Sequence, residues 1–214
     1  MRVKLNTLDI YAFGDPAGKK RGADQLKKVR ANSALIVIGV EPTSEPRVIV
    51  LEAWRGKVPA SVLMEKIFEF NEIWHPKVFG IEANAMQELY AQMLVTEAQK
   101  RNIVINLSEV YQPTNVEKHW RIRTALNPIT NWGRLFLRDD QIELKNEMTV
   151  FPMSPLVDLI DALASACSMI PPRPKPAAQE DDDAAEVAQY LRNRGVAPRL
   201  IQERVQQIRA GNVR

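Results

Sequence analysis

Cysteine is nearly absent: Cys167 is the single one among 214 residues, which excludes an intramolecular disulfide framework. It lies in the apolar helical pattern DALASACSMI, where it is expected to fill core space. Histidine is just as scarce. Only His75 and His119 could join Cys167 around a metal, and neither is near it in sequence, which argues against a zinc site. No run reaches the roughly 18 apolar residues of a membrane span, and the opening MRVKLNTLDI lacks a secretory pattern. The expectation is a soluble intracellular protein with no membrane partner. A strong excess of charge is also missing. The formal net charge of +3 permits a nucleic-acid partner without demanding one. What is present is a 45% hydrophobic composition, enough for one sizeable core with or without an appendage.

The apolar runs LDIYAFG (8–14), SALIVIGV (33–40) and RVIVLEAW (47–54) read as strands, the last two separated by the turn-forming EPTSEP. Three successive antiparallel strands are the simplest arrangement. The period then changes. PASVLMEKIFEFNEIW (59–74) has Val62, Leu63, Ile67, Phe70 and Trp74 at helical spacing, with Pro59 in the first turn. KVFGIEA (77–83) and NIVINLSEV (102–110) are strands on either side of a helix that Asn84 could cap. Alternation of strand and helix calls for parallel pairing through crossovers. The predicted fold is α/β: a mixed sheet of three antiparallel strands followed by parallel ones, flanked by helices. A helix over 116–126, an extended GRLFLR, a short helix in DDQIELKNEMTVF and a helix over 155–170 complete it. The expected domain spans 1–170. The Pro-rich 171–176 then forms a stiff linker, and 177–214, with the acidic run EDDDAAE, a small helical or partly disordered tail.

Four acids stand at places where sites form. Asp15 ends the first strand, Glu82 ends the strand 77–83, and Asp158 and Asp161 share one face of the last domain helix. Each has an ordinary alternative. Asp15 suits a turn, Glu82 could cap the next helix or pair with a base, and the aspartates could form a wet face or complement the helix dipole. Gathered together, the carboxylates would instead hold Mg²⁺ or Mn²⁺ through hard oxygen ligands. Two such ions about 4 Å apart activate water and stabilise the leaving oxygen in phosphodiester cleavage.

In chain order, FGDPA, VFGIEANAMQELY, KHWRIRTALNPITNWGRLFL and VDLIDALA resemble the nuclease domain of the large terminase subunit of tailed bacteriophages, a ribonuclease H-like family. The resemblance covers about residues 8–170. It implies a metal-dependent endonuclease that cuts concatemeric viral double-stranded DNA during packaging, in the cytoplasm of an infected host. It implies two ions, anchored or bridged by Asp15 and ligated by Glu82, with Asp158 as the last ligand and Asp161 as a further ligand or support. Val157 stands where the family has the first acid of a pair, so the division between Asp158 and Asp161 stays open. Lys118, Arg121 and Arg123 would line the cleft and meet backbone phosphates, joined by the basic cluster Lys19, Lys20, Arg21, Lys27, Lys28 and Arg30. A charged exposed helix face is the plain alternative for the first three.

No G-x-x-x-x-G-K-[ST] loop occurs, so translocation is expected to need an ATPase domain supplied elsewhere. The small terminase and the portal are further expected partners. Two other functions fit the same acids: a junction resolvase or transposase-like nuclease, and a non-catalytic DNA-binding or assembly module.

Overall fold

The structure, a computed structural model, describes residues 4–17, 32–83, 87–112, 115–172 and 177–209, with the side chains at 87–89 and 177–182 excepted. The expected Asn84 cap, the basic cluster from Lys19 to Arg30 and linker residues 173–176 lie outside the described residues. The chain divides into two compact units, Met1–Pro171 and Pro172–Arg214.

The apolar runs become β1 (Asp9–Asp15), β2 (Ser33–Val40) and β3 (Val48–Gly56). β1 pairs antiparallel with β2, and β2 with β3. After helix α1 (Ala60–Trp74), β4 (Val78–Ala83) runs parallel to β1 on its other side. Helix α2 (Gln87–Arg101) leads to β5 (Leu107–Tyr111), parallel to β4. The two-residue β6 (Leu135–Phe136) closes the far edge by pairing parallel with β3, giving the order β5-β4-β1-β2-β3-β6. The mixed α/β sheet expected from the pattern is therefore present, with β6 added at its edge.

All eight residues of β2 are buried, because helices cover both faces of the sheet. A strand so placed is apolar throughout rather than alternating. One face packs Tyr11, Phe13, Ile36, Ile38 and Val50 against α3 (Lys118–Thr130), α4 (Ile142–Val150) and α5 (Asp158–Ser168). The other packs Ala12, Leu35, Val37, Phe79 and Ile81 against α1 and α2. Near the C-terminal end of α5 the approach to β4 is so close that a Cβ on Gly80 would overlap Met169 Sδ. Glycine is the residue that fits.

Three boundaries differ from expectation. The stretch 102–106 is not strand. Asn102 turns with positive φ, and side-chain amides hold the residues beyond it: Asn71 Nδ2 donates to Val104 O at 2.9 Å and Asn106 Nδ2 to Lys77 O. Helix α3 continues through Pro128, where Thr130 Oγ1 donates to the carbonyl of Leu126 at 3.0 Å. Helix α5 begins at Asp158 rather than at Pro155, and its cap comes from another element.

In the second unit, α6 (Ala177–Asn193) and α7 (Pro198–Arg209) pack as a helical pair, turned by Gly195 at a φ of 71°. Ala184, Ala188 and Ile201 are buried. No described helix is long and apolar enough to cross a membrane.

Candidate active site

The parallel register of β1 and β4 runs from Tyr11 opposite Val78 to Gly14 opposite Ile81. One residue further along stand Asp15 and Glu82. Alternation puts Asp15 on the same side of β1 as Tyr11 and Phe13, the side that α5 covers. The register brings the two carboxyl groups close enough to act on each other. Burial first, then the Glu82 charge and the bond to it, then the charge of Asp161, push the Asp15 carboxyl well above the ordinary carboxylate range, while Lys118 acts in the opposite direction. The chain leaving Asp15 is pinned by Ala17 N–H, which donates to the buried Ser33 Oγ at 3.0 Å.

Asp161 enters from the first turn of α5 and is only 4% exposed. Two bases from the first turn of α3 meet it: Lys118 Nζ lies 2.9 Å from Oδ2, and Arg121 Nη2 2.8 Å from Oδ1. Helix α3 starts there because the Glu117 side chain accepts from the N–H groups of His119 and Trp120. Ser165, one turn beyond Asp161, accepts from Gln112 Nε2 at 2.8 Å and from Arg121 Nη1 at 3.4 Å. Asp158 bonds elsewhere, its Oδ2 accepting from Asn32 Nδ2 at 2.8 Å. Arg123 is exposed, with its guanidinium 5.8 Å from the Phe151 ring centroid.

Glu147 organises the start of α5. It is 3% exposed, and its Oε2 accepts from the N–H groups of Leu159 (2.9 Å) and Ile160 (3.0 Å), while Oε1 pairs with Arg55 Nη1. Burial raises its pKa, opposed by these N–H groups and by Arg55. Val157 at the cap position provides no side-chain bond, so a carboxylate from α4 satisfies donors that a local Ser or Asp would otherwise take.

The sequence singles out Asp15, Glu82, Asp158, Asp161, Lys118, Arg121 and Arg123, but not Glu147, Gln112, Asn32 or Ser33. The signal for Glu147 was faint: a helix beginning Val-Asp without a conventional cap. Among the described residues no group of three or more His, Cys, Asp or Glu stands ready to hold a metal ion. Asp161 is paired with the two bases and Asp158 bonds to Asn32. Asp15 and Glu82 are the remaining pair. Two adjacent carboxylates, one of them pushed toward its protonated form by burial and then by the other, are a donor set that fits a hard divalent cation.

No protein-family model and no curated protein matches this sequence. Similar solved structures include Thermus thermophilus RuvC in complex with a Holliday junction substrate, at 14% identity and a TM-score of 0.42, covering 74% of this chain and 91% of that one. A second Thermus thermophilus RuvC structure gives 14% identity and 0.42, with 74% and 92% covered. The Fowlpox virus resolvase in complex with Holliday junction DNA gives 11% identity and 0.42, with 74% and 95% covered. A likeness of this degree carries no argument about activity or substrate.

Proposed function

We propose that the chain is a ribonuclease H-like, divalent-metal-dependent endonuclease that hydrolyses phosphodiester bonds of DNA. The observation that carries the reading is the meeting of Asp15 and Glu82 at the ends of parallel neighbours, with the charge of Asp161 acting on Asp15 from the facing helix. Strand order supports it: an antiparallel meander with parallel strands added beside β1. Asp15 and Glu82 would hold Mg²⁺ or Mn²⁺, and Asp161 is nearer to completing the set than Asp158. A bound pair of such ions activates water and stabilises the leaving oxygen. The chain's own groups do the rest. Lys118 and Arg121 supply positive charge for a backbone phosphate, and Ser165, bonded to Gln112, steadies the guanidinium.

The order of the four motifs favours duplex cleavage during viral genome packaging in an infected host's cytoplasm. An ATPase domain, the small terminase and the portal would then be partners. The second reading is a junction resolvase, which the same acids permit; the junction DNA bound in similar structures is said of those proteins alone.

One assay tests both. Plasmid, linear duplex and four-way junction DNA are incubated with the protein in Mn²⁺ and in EDTA. Metal-dependent cutting that Asp15→Asn abolishes, with the fold intact, is expected. Strong preference for the junction would replace the packaging reading with the resolvase one. Full activity of Asp15→Asn would remove the metal-site reading.

A further inference from the structure

Asp161 is almost fully buried and its charge acts on Asp15, so without compensation that charge would be costly. Compensation comes from two bases that differ in how firmly they are held. Arg121 is 19% exposed; its Nη2 forms an ion pair with Asp161 Oδ1 at 2.8 Å without a hydrogen bond to that oxygen, and its Nη1 donates to Ser165 Oγ, which Gln112 also engages. Lys118 is 41% exposed and meets Asp161 at Oδ2. Its charge also reaches Asp15, where it favours the ionised carboxylate. An ammonium that acts on both Asp161 and Asp15, on a long half-solvated stem, resembles a bound cation more than a fixed strut.

We propose, resting on the metal-site reading above, that the Lys118 ammonium serves as an exchangeable stand-in for a divalent cation, covering Asp161 Oδ2 until metal enters and displaces it. Arg121 stays in place through the exchange because Ser165 holds it as well. Released from Oδ2, the ammonium of Lys118 keeps three donors for a phosphate oxygen. Loading with metal and readiness to bind the DNA backbone are thus linked through one side chain.

The test is calorimetric titration of the DNA-free protein with Mn²⁺, for wild type, Lys118→Gln and Arg121→Gln, with thermal melts of each in EDTA and in saturating Mn²⁺. Lys118→Gln is expected to bind Mn²⁺ about fivefold more tightly, the scale of one half-exposed ion pair. It should melt lower than wild type in EDTA, with the gap closing in Mn²⁺. Arg121→Gln should not tighten binding. Equal tightening by both variants would mean that nearby positive charge in general opposes the metal, and the exchange would be refuted. Unchanged or weaker binding by Lys118→Gln, in a wild type that does bind Mn²⁺, would refute the exchange and leave the metal site standing. Absence of Mn²⁺ binding in all three folded proteins would remove the metal site itself, and the exchange with it.

Discussion

Replacing Glu147 by alanine removes three bonds from one buried carboxylate: those to Leu159 N–H and Ile160 N–H at the start of α5, and the pair with Arg55. Losing a helix cap costs about 1 kcal/mol. Here the donors are also buried, and an unsatisfied buried donor costs about 1–3 kcal/mol. Arg55 keeps a second partner, Glu143, at 3.1 Å, so the full penalty of stranding a buried charge does not apply. The sum is about 3 kcal/mol, or a fall in Tm of about 6–12 °C for a chain of this size. Glu147→Gln retains an acceptor for α5 but loses the carboxylate charge and turns its amide donor toward Arg55, so it should cost less than Glu147→Ala without matching wild type. Urea denaturation followed by circular dichroism measures both variants. Because the first turn of α5 carries Asp158 and Asp161, DNA cleavage under conditions where the variants remain folded should fall for Glu147→Ala and recover for Glu147→Gln. If Glu147→Ala lost less than about 0.5 kcal/mol, well below the usual cost of losing a cap, the assignment of Glu147 as the cap of α5 would be wrong.

Asp15 makes a prediction of opposite sign. Its carboxyl is held above the ordinary range in the folded protein, so its contribution to stability is complete below the unfolded-state pKa of about 4 and is lost as pH rises through the raised value. In EDTA, the stability difference between Asp15→Asn and wild type should grow in the variant's favour from pH 4 toward pH 8, and a flat difference would contradict the crowding at that site. Gly80→Ala would bring a Cβ onto Met169 Sδ and within 2.9 Å of Phe13 Cδ2, a clash worth about 1–3 kcal/mol in urea denaturation. An unchanged midpoint would mean that the end of α5 is looser than its packing on β4 implies.

The ends of β1, β2, β3 and α1 lie within about two residues of the runs that mark them in the sequence, because continuous apolar runs and a helical period are local properties. The meeting of Asp15 and Glu82 was legible for a related reason: each ends an apolar run, and parallel neighbours finish at the same edge of a sheet. What the pattern could not reveal depends on partners distant in the chain. A spacing of three put Asp158 and Asp161 on one helix face, but their separate surroundings stem from where α5 begins, and Glu147, eleven residues before Asp158, determines that. Ile103 and Ile105 made 102–106 look like strand, since both pack against the α1 and α2 face. Ladder pairing with β4 begins only where Phe79 N–H donates to Asn106 O at 2.8 Å, and side-chain amides of Asn71 and Asn106 add bonds around the segment before β5.

The described acids and bases divide into a crowded pair and a neutralised partner. Asp15 and Glu82 repel each other at the strand ends, while Asp161, the most deeply buried of the three, is matched by two bases from a single helix turn. Such an arrangement survives without a cation only if the backbone that presents it is fixed by bonds of its own. The Ser33 bond to Ala17 does this after β1, and the Glu147 cap does it at the start of α5. Neither bond uses an atom of the three acids. Electrostatic strain at the carboxylates and stability of their supports are therefore separable. On that basis Asp15→Asn should relieve the first at neutral pH without disturbing the second, whereas Glu147→Ala should weaken the second at every pH at which its carboxylate is charged.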